Sequence, residues 1–244
     1  LSEIHAFNKS ILCCLPKKPS GQTETGSQYY EASATRPLNI SNVDNRLLTS
    51  AARLAWEPIM EKWVSFMQRG FLKGRLMLHN VVDIDFEAMK VSLKTETGAI
   101  IFFDFKAAFP SVSHEFLINC LTYLGLPEEV MHFIHIMYSQ NSCSIRLQGE
   151  DFPGFNLKGG VRQGCPLSPL LFAVCVDILL RRINQEMPDM CVRAFADDIG
   201  CVASNWWIQG PKLQEIFQEF GRISNLHLNI DKTICVPLWK KGNS

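Results

Sequence analysis

GAIIFFDF, residues 98–105, is apolar from end to end except for one acid, Asp104. An unbroken apolar run of this length predicts a strand buried on both faces, so the fold needs a covering layer on each side of a sheet. A second segment tightens the constraint. In RAFADDIGCVA, residues 193–203, Asp197 and Asp198 sit between two short runs rich in Val, Ile, Phe and Cys. Those runs predict two strands with the carboxylates at or near a hairpin turn. Adjacent like charges repel, the more so in a low-dielectric setting. Taken alone, the pair is first read as turn chemistry, because aspartate bonds to nearby backbone N–H groups.

The remaining pattern alternates irregularly between helix and strand, which favours an α+β fold. Leu47, Leu48, Ala51, Leu54, Ala55, Ile59 and Trp63 recur near a 3.6 period, predicting a helix within 45–67. A second helix is expected over 79–93. Ser113 is placed to cap a third, with Glu115 in its first turn and Gly125 ending it. Pro127 opens a fourth, Ser168-Pro169 a fifth running to about 183, and Pro211 an amphipathic sixth. Residues 142–157 predict a hairpin turning at Gly149, and 234–238 a closing strand. Residues 16–35 are polar and loop-like, and QRGFLKGR, 68–75, is a basic loop punctuated by glycine.

Charge matters once nucleic acid is considered. Lys plus Arg equals Asp plus Glu at 24 each, which argues against a generic basic coat but not against a local groove. Nine cysteines include no C-x-x-C pair, so no zinc site is expected. Without a secretory leader pattern, the thiols point to an intracellular protein, in nucleus and cytoplasm rather than secreted. The longest apolar run, LLFAVCVDILL at 170–180, contains Asp177 and falls short of the roughly 20 residues that span a bilayer, so no membrane segment is expected.

Asp104 ends one buried strand and Asp197-Asp198 lies between two others. Three carboxylates at strand ends could meet on one sheet, an arrangement suited to two divalent cations about 3.5–4 Å apart. Mg²⁺ favours a few carboxylates together with phosphate oxygens over a full protein cage.

Four segments in order, DFKAAFPS (104–111), KGGVRQGCPLSPLLF (158–172), RAFADD (193–198) and NLHLNIDKT (225–233), resemble the reverse transcriptase family. The likeness is strongest to LINE-type (non-LTR) retrotransposons, with group II intron enzymes next. GVRQGCPLSPLLF is its most specific piece, and RPLNISNVDNRLL and QRGFLKGR extend it over roughly residues 10–238. The resemblance implies a right-hand polymerase with fingers in 1–95 and an antiparallel palm sheet flanked by helices in 96–240. Residues 115–155 are open to sharing with the fingers. It implies RNA-directed DNA synthesis, with an RNA template, a DNA primer and dNTP as partners and two Mg²⁺ ions, or Mn²⁺ in their place, as cofactor.

The resemblance also implies roles. Asp104, Asp197 and Asp198 are catalytic, and with the carbonyl of Phe105 they hold metal. Phe109 stands where the family gates the sugar C2′ position, excluding the 2′-OH that separates RNA precursors from DNA precursors. Gln163 and Gly164 match the loop against the incoming nucleotide, Arg36 a triphosphate contact, and Lys232 a lysine assisting pyrophosphate departure. Lys17, Lys18, Arg69, Lys73, Arg75 and Arg162 are candidates for the template backbone. Each has a plainer reading: Phe109 as core, Arg162-Gln163 as a polar turn, Lys232 as an exposed ion pair, and Arg69, Lys73 and Arg75 as a solvated face. His132 and His135 are expected to be ordinary surface or core residues, and Trp206-Trp207 to pack beside the acid hairpin.

Two departures stand out: Pro110 occupies a position often acidic in the family, and Phe195 one often filled by Tyr. A primer grip and thumb should follow Lys232 and an endonuclease should precede Leu1, so the chain is expected to be part of a longer polyprotein with little processive synthesis alone. Two rivals remain: an RNA-dependent RNA polymerase, and an inactive or domesticated RNA-binding copy.

Overall fold

Strand pairing divides the described residues, 6–239 of a computed structural model, between two four-stranded sheets and one small hairpin. In the first sheet β1 (Lys9–Pro16) runs antiparallel to β4 (Thr35–Ser41), from Ser10 opposite Ser41 to Pro16 opposite Thr35. Its other edge pairs in parallel with β6 (Ser142–Leu147), which turns back into β7 (Glu150–Phe152). Residues 142–152 therefore complete a sheet begun at the N-terminus. The predicted hairpin at 142–157 is present. The strands 9–16 and 35–41 were not foreshadowed, because Pro16 and Pro37 interrupt both patterns. Pro37 is tolerated because β4 is the sheet's edge. Within the loop-like stretch 16–35, β2 (Gly21–Gln22) and β3 (Gln28–Tyr29) pair briefly.

The second sheet has the order β10 (Ile234–Pro237), β5 (Ala99–Phe103), β9 (Asp198–Ala203), β8 (Cys191–Phe195), and every pair is antiparallel. Among the described residues the helices that accompany the sheets include α1 (Val43–Trp63), α2 (Met77–Lys94), the short α3 (Ala108–Ser111), α4 (His114–Tyr123), α5 (Glu128–Tyr138), α6 (Ser168–Glu186) and α7 (Trp206–Ser224). Ser113 caps α4 as expected, accepting a bond from the Phe116 N–H at 3.3 Å. Pro211 does not open α7. The helix begins five residues earlier, where Trp206 N–H donates to Thr97 O and Gln209 reaches back to the Asn205 N–H.

Helix α7 covers one face of the second sheet, where the Phe217 ring lies 4.4 Å from that of Phe103. Helix α2 lies on the other: a Cβ built on Gly200 would come 2.5 Å from Ile84 Cδ1. That cover is incomplete, so β5 is not buried on both faces as its apolar run predicts. Ile101 and Phe103 are buried, whereas Phe102 is 43 % exposed, because α2 packs on β8 and β9 rather than on β5. Helix α6 is buried along most of its length and packs against α1, α4, α7 and β8. Its buried acid, Asp177, accepts bonds from Ser65 N–H at 3.1 Å, from the Ser65 hydroxyl, and from Arg181 Nε at 2.7 Å.

Candidate active site

The carboxylates sit where β5 ends and β9 begins. These central strands pair with Phe103 opposite Ile199, so the next step of the register carries Asp104 alongside Asp198. Phe195 pairs with Asp198, leaving Ala196 and Asp197 as a two-residue turn. Ala196 is left-handed, with φ 61°, at a position where glycine is usual in tight hairpins. That conformation costs an L-residue on the order of 1 kcal/mol.

The three acids feel one another. Burial, reinforced by Asp198 and Asp104 and opposed by Arg36, raises the Asp197 carboxyl above its ordinary range. Burial and then Asp104 do the same to Asp198. Asp104 also accepts from Asn229 Nδ2 at 3.3 Å and faces Lys232 Nζ at 3.5 Å, while its backbone carbonyl takes the Asn229 N–H at 2.7 Å. Lys106 N–H donates to His227 O, so Phe105 bridges Leu228 without bonding it. Two cations distant in the chain thus act on the acids, Lys232 on Asp104 and Arg36 on Asp197. Among the described residues no three His, Cys, Asp or Glu side chains stand close enough to hold a metal unaided.

Phe109 is partly buried between two rings. It stacks on Phe172 at 4.6 Å and meets Phe71 edge-on at 5.8 Å, and its carbonyl accepts the Val161 N–H. The loop before α6 is stitched to the first sheet, with Asn39 N–H bonding Gln163 O at 2.9 Å. Gly164 has φ 112°, and a Cβ there would lie 2.7 Å from Asn39 O, so both conformation and space call for glycine. A cavity of about 550 Å³ opens beside this loop, lined in part by Gln163, Asn39, Pro110 and Lys158. Lys17 and Lys18 are exposed just past the end of β1.

The expected template track needs correcting at three arginines. Arg162 is only 3 % exposed, and its guanidinium is committed to Asn8, Asn141 and the Met137 carbonyl. Arg75 collects the carbonyls of Glu61, Val64, Ser65 and Gln68, closing the C-terminal end of α1. Arg69 bonds Asp83 and Asn80. These side chains hold loops together, Arg162 through its Nη2 alone. Lys73 alone of the four in 69–75 and 162 is exposed. His132 and His135 are both exposed. Trp206 packs on the core, and Trp207 sits 6.5 Å from Trp239. Asn229, on the Asp104 carboxylate, and the Phe71 and Phe172 rings around Phe109 lie within the motif segments, but the sequence assigned them no role.

Antiparallel strands bearing acids at their shared end, with helices packed on the sheet, are consistent with the palm and fingers of a template-directed polymerase. The solved structures agree on the fold. Telomerase from Candida tropicalis truncated from its C-terminal domain superposes with a TM-score of 0.69 at 12 % identity, over 98 % of this chain and 51 % of that one. Telomerase from Candida albicans with a telomeric RNA fragment does so at 0.66 and 12 %, over 100 % and 43 %. The chain belongs to the reverse transcriptase (RNA-dependent DNA polymerase) family, whose model matches residues 15–238. It is 24 % identical to an uncharacterized 149 kDa protein of transposon TX1 from Xenopus laevis, over 92 % of this chain and 17 % of that protein. It is 27 % identical to a Pol polyprotein of the type-1 element R2 from Popillia japonica (85 % and 30 %) and 29 % to that of R2DM from Drosophila melanogaster (83 % and 20 %). The chain thus spans less than a third of the length of these curated relatives.

Proposed function

We propose that this chain is the reverse transcriptase domain of a non-LTR retroelement protein, extending a DNA primer on an RNA template with dNTPs. The observation that carries the reading is the juxtaposition of Asp104 with Asp197-Asp198 at the shared end of adjacent strands, where the charge of Asp104 helps to raise the carboxyls of Asp197 and Asp198. Carboxylates half-buried at Asp104 and Asp197 and exposed at Asp198 form a hard, all-oxygen donor set suited to a divalent cation. Asp104, Asp197, Asp198 and the Phe105 carbonyl would hold Mg²⁺, or Mn²⁺ in its place. Bound there, the ions would ease deprotonation of the primer 3′-OH and offset charge on the departing pyrophosphate.

The protein's own groups supply the rest. Arg36 and Lys232 reach the triphosphate, and Lys232 holds a proton for the leaving group. Phe109, fixed between Phe71 and Phe172, stands against the sugar. Gln163 and Gly164 line the nucleotide and template side. Lys17, Lys18 and Lys73 remain the exposed candidates for template phosphate. The sheet of β1, β4, β6 and β7 acts as fingers and the sheet of β5, β8, β9 and β10 as palm. Thumb and endonuclease belong to the rest of the polyprotein. No helix among the described residues is long and apolar enough to cross a membrane.

Primer extension on an RNA template tests the reading, with the full-length protein beside an Asp197→Ala, Asp198→Ala double variant. The double variant is expected to lose at least about 10³-fold in rate. Equal signal from the two would leave an RNA-binding remnant as the better reading. Phe109→Ala separates DNA from RNA synthesis: ribonucleotide incorporation should rise, and unchanged sugar selection would count against the gate.

A further inference from the structure

We infer that Gln68 is the positioning residue of the acid turn: its buried side-chain amide locks Ala196, and through it sets where Asp197 and Asp198 point. The inference rests on the polymerase reading of those aspartates and adds a residue that touches neither nucleotide nor acid. The backbone of 67–69 runs beside β8 like a short extra strand. Ala194 N–H bonds Met67 O, Arg69 N–H bonds Ala194 O, and Gln68 bridges Ala194 in parallel. Where that main-chain ladder stops, the Gln68 side chain continues it. Its Nε2 donates to Ala196 O at 3.0 Å and its Oε1 accepts Ala196 N–H at 2.9 Å. The same Oε1 accepts Gly70 N–H at 2.8 Å, which aims the amide.

Three features show a built contact. Gln68 is fully buried, so each of these bonds replaces one to water and would be costly to leave unmade. Ala196 is held left-handed without the freedom of glycine, so something outside the turn must keep it there. The approach is also close enough to dictate sequence: a Cβ on Gly70 would lie 2.1 Å from Ala196 N. Arg75 takes the Gln68 carbonyl at 2.7 Å and so anchors the clamp to the end of α1.

The test is steady-state primer extension by the full-length protein carrying Gln68→Met, which keeps volume and removes all three bonds. Gln68→Glu, which keeps the acceptor bonds, is the second variant should the first fail to fold. A misplaced acid turn predicts a fall in kcat of about tenfold to a hundredfold, unchanged KM for primer–template, and a higher Mg²⁺ concentration for half-maximal rate. Adding Ala196→Gly to Gln68→Met should recover part of the loss, because glycine enters the left-handed turn without a clamp. Leu121→Ala, which empties a fully buried position on α4, serves as the control that loosens the fold without touching residues 65–70 or the turn. Wild-type kcat in both Gln68 variants would overturn the inference. So would a loss matched by Leu121→Ala, or no recovery in the double variant. If wild-type protein extends no better than the Asp197→Ala, Asp198→Ala control, the polymerase reading fails on its own. The clamp is then judged by hydrogen exchange of the Ala196 amide, where faster exchange in Gln68→Met supports it and unchanged exchange overturns it.

Discussion

Asp177 and Asp197 are both carboxylates withdrawn from water, and their surroundings are opposite. Asp177 lies on a core helix with two Ser65 donors and the Arg181 guanidinium on its oxygens. Asp197 lies at a turn, half-buried, with two more acids beside it and Arg36 as the cation acting on it. The first has its counter-charge inside the protein and serves as a staple between α6 and the loop after α1. The second has its counter-charge left to a ligand. A buried acid is informative about function only when the protein fails to satisfy it.

The contrast breaks most visibly at the staple. Asp177→Ala should destabilise by about 3 kcal/mol, since it strips Ser65 of a buried acceptor and leaves Arg181 unpaired. In thermal unfolding that is roughly a 6–12 °C fall. A drop smaller than that of an exposed control such as Lys90→Ala would put Asp177 in the same class as Asp197. The acid turn should respond the other way. Asp197→Asn should abolish extension yet raise the stability of metal-free protein by up to about 1 kcal/mol, because it removes a charge the fold leaves uncompensated. The sign follows from burial, which lifts the Asp197 and Asp198 carboxyls above the usual carboxylate range in the folded chain. The folded state binds those protons more readily, so their favourable share is complete below about pH 4 and is lost as pH rises through the raised values. Melting curves of wild type and Asp197→Asn should therefore converge in acid and separate towards neutrality. Saturating Mg²⁺ should narrow the gap at neutral pH by stabilising wild type alone. The smallest effect belongs to Lys232, which is 68 % exposed across from Asp104. Lys232→Met should shift stability by less than about 0.5 kcal/mol while still slowing extension. A stability loss above that would make the lysine a structural partner.

What the sequence discloses follows the range of the interaction concerned. The capped helix at Ser113, the core helix after Pro169 and the acid hairpin are written in spacings of a few residues, and they appear where the pattern puts them. The meeting of Asp104 with Asp198 depends on strand order, which no local pattern carries; only the order of the four motifs anticipates it. The arginines at 75 and 162 mislead because a guanidinium reads alike whether it faces a phosphate or four carbonyls. Gln68 is silent for a related reason: its two partners on Ala196 lie 128 positions away, and they are backbone atoms common to every residue. Strands 9–16 and 35–41 are hidden by prolines, tolerated at the last residue of the first and on the sheet edge in the second.

The parallel pairing of β1 with β6 carries a consequence for biogenesis. Ser10 and Ser142 are neighbours across the sheet yet 132 positions apart along the chain. On a ribosome adding roughly 5–20 residues each second, the first strand waits on the order of 10 s for its partner to emerge. During that interval it offers an open edge to any other nascent copy. Polysomes translating such a message at high density would be where this domain is most exposed to misassembly.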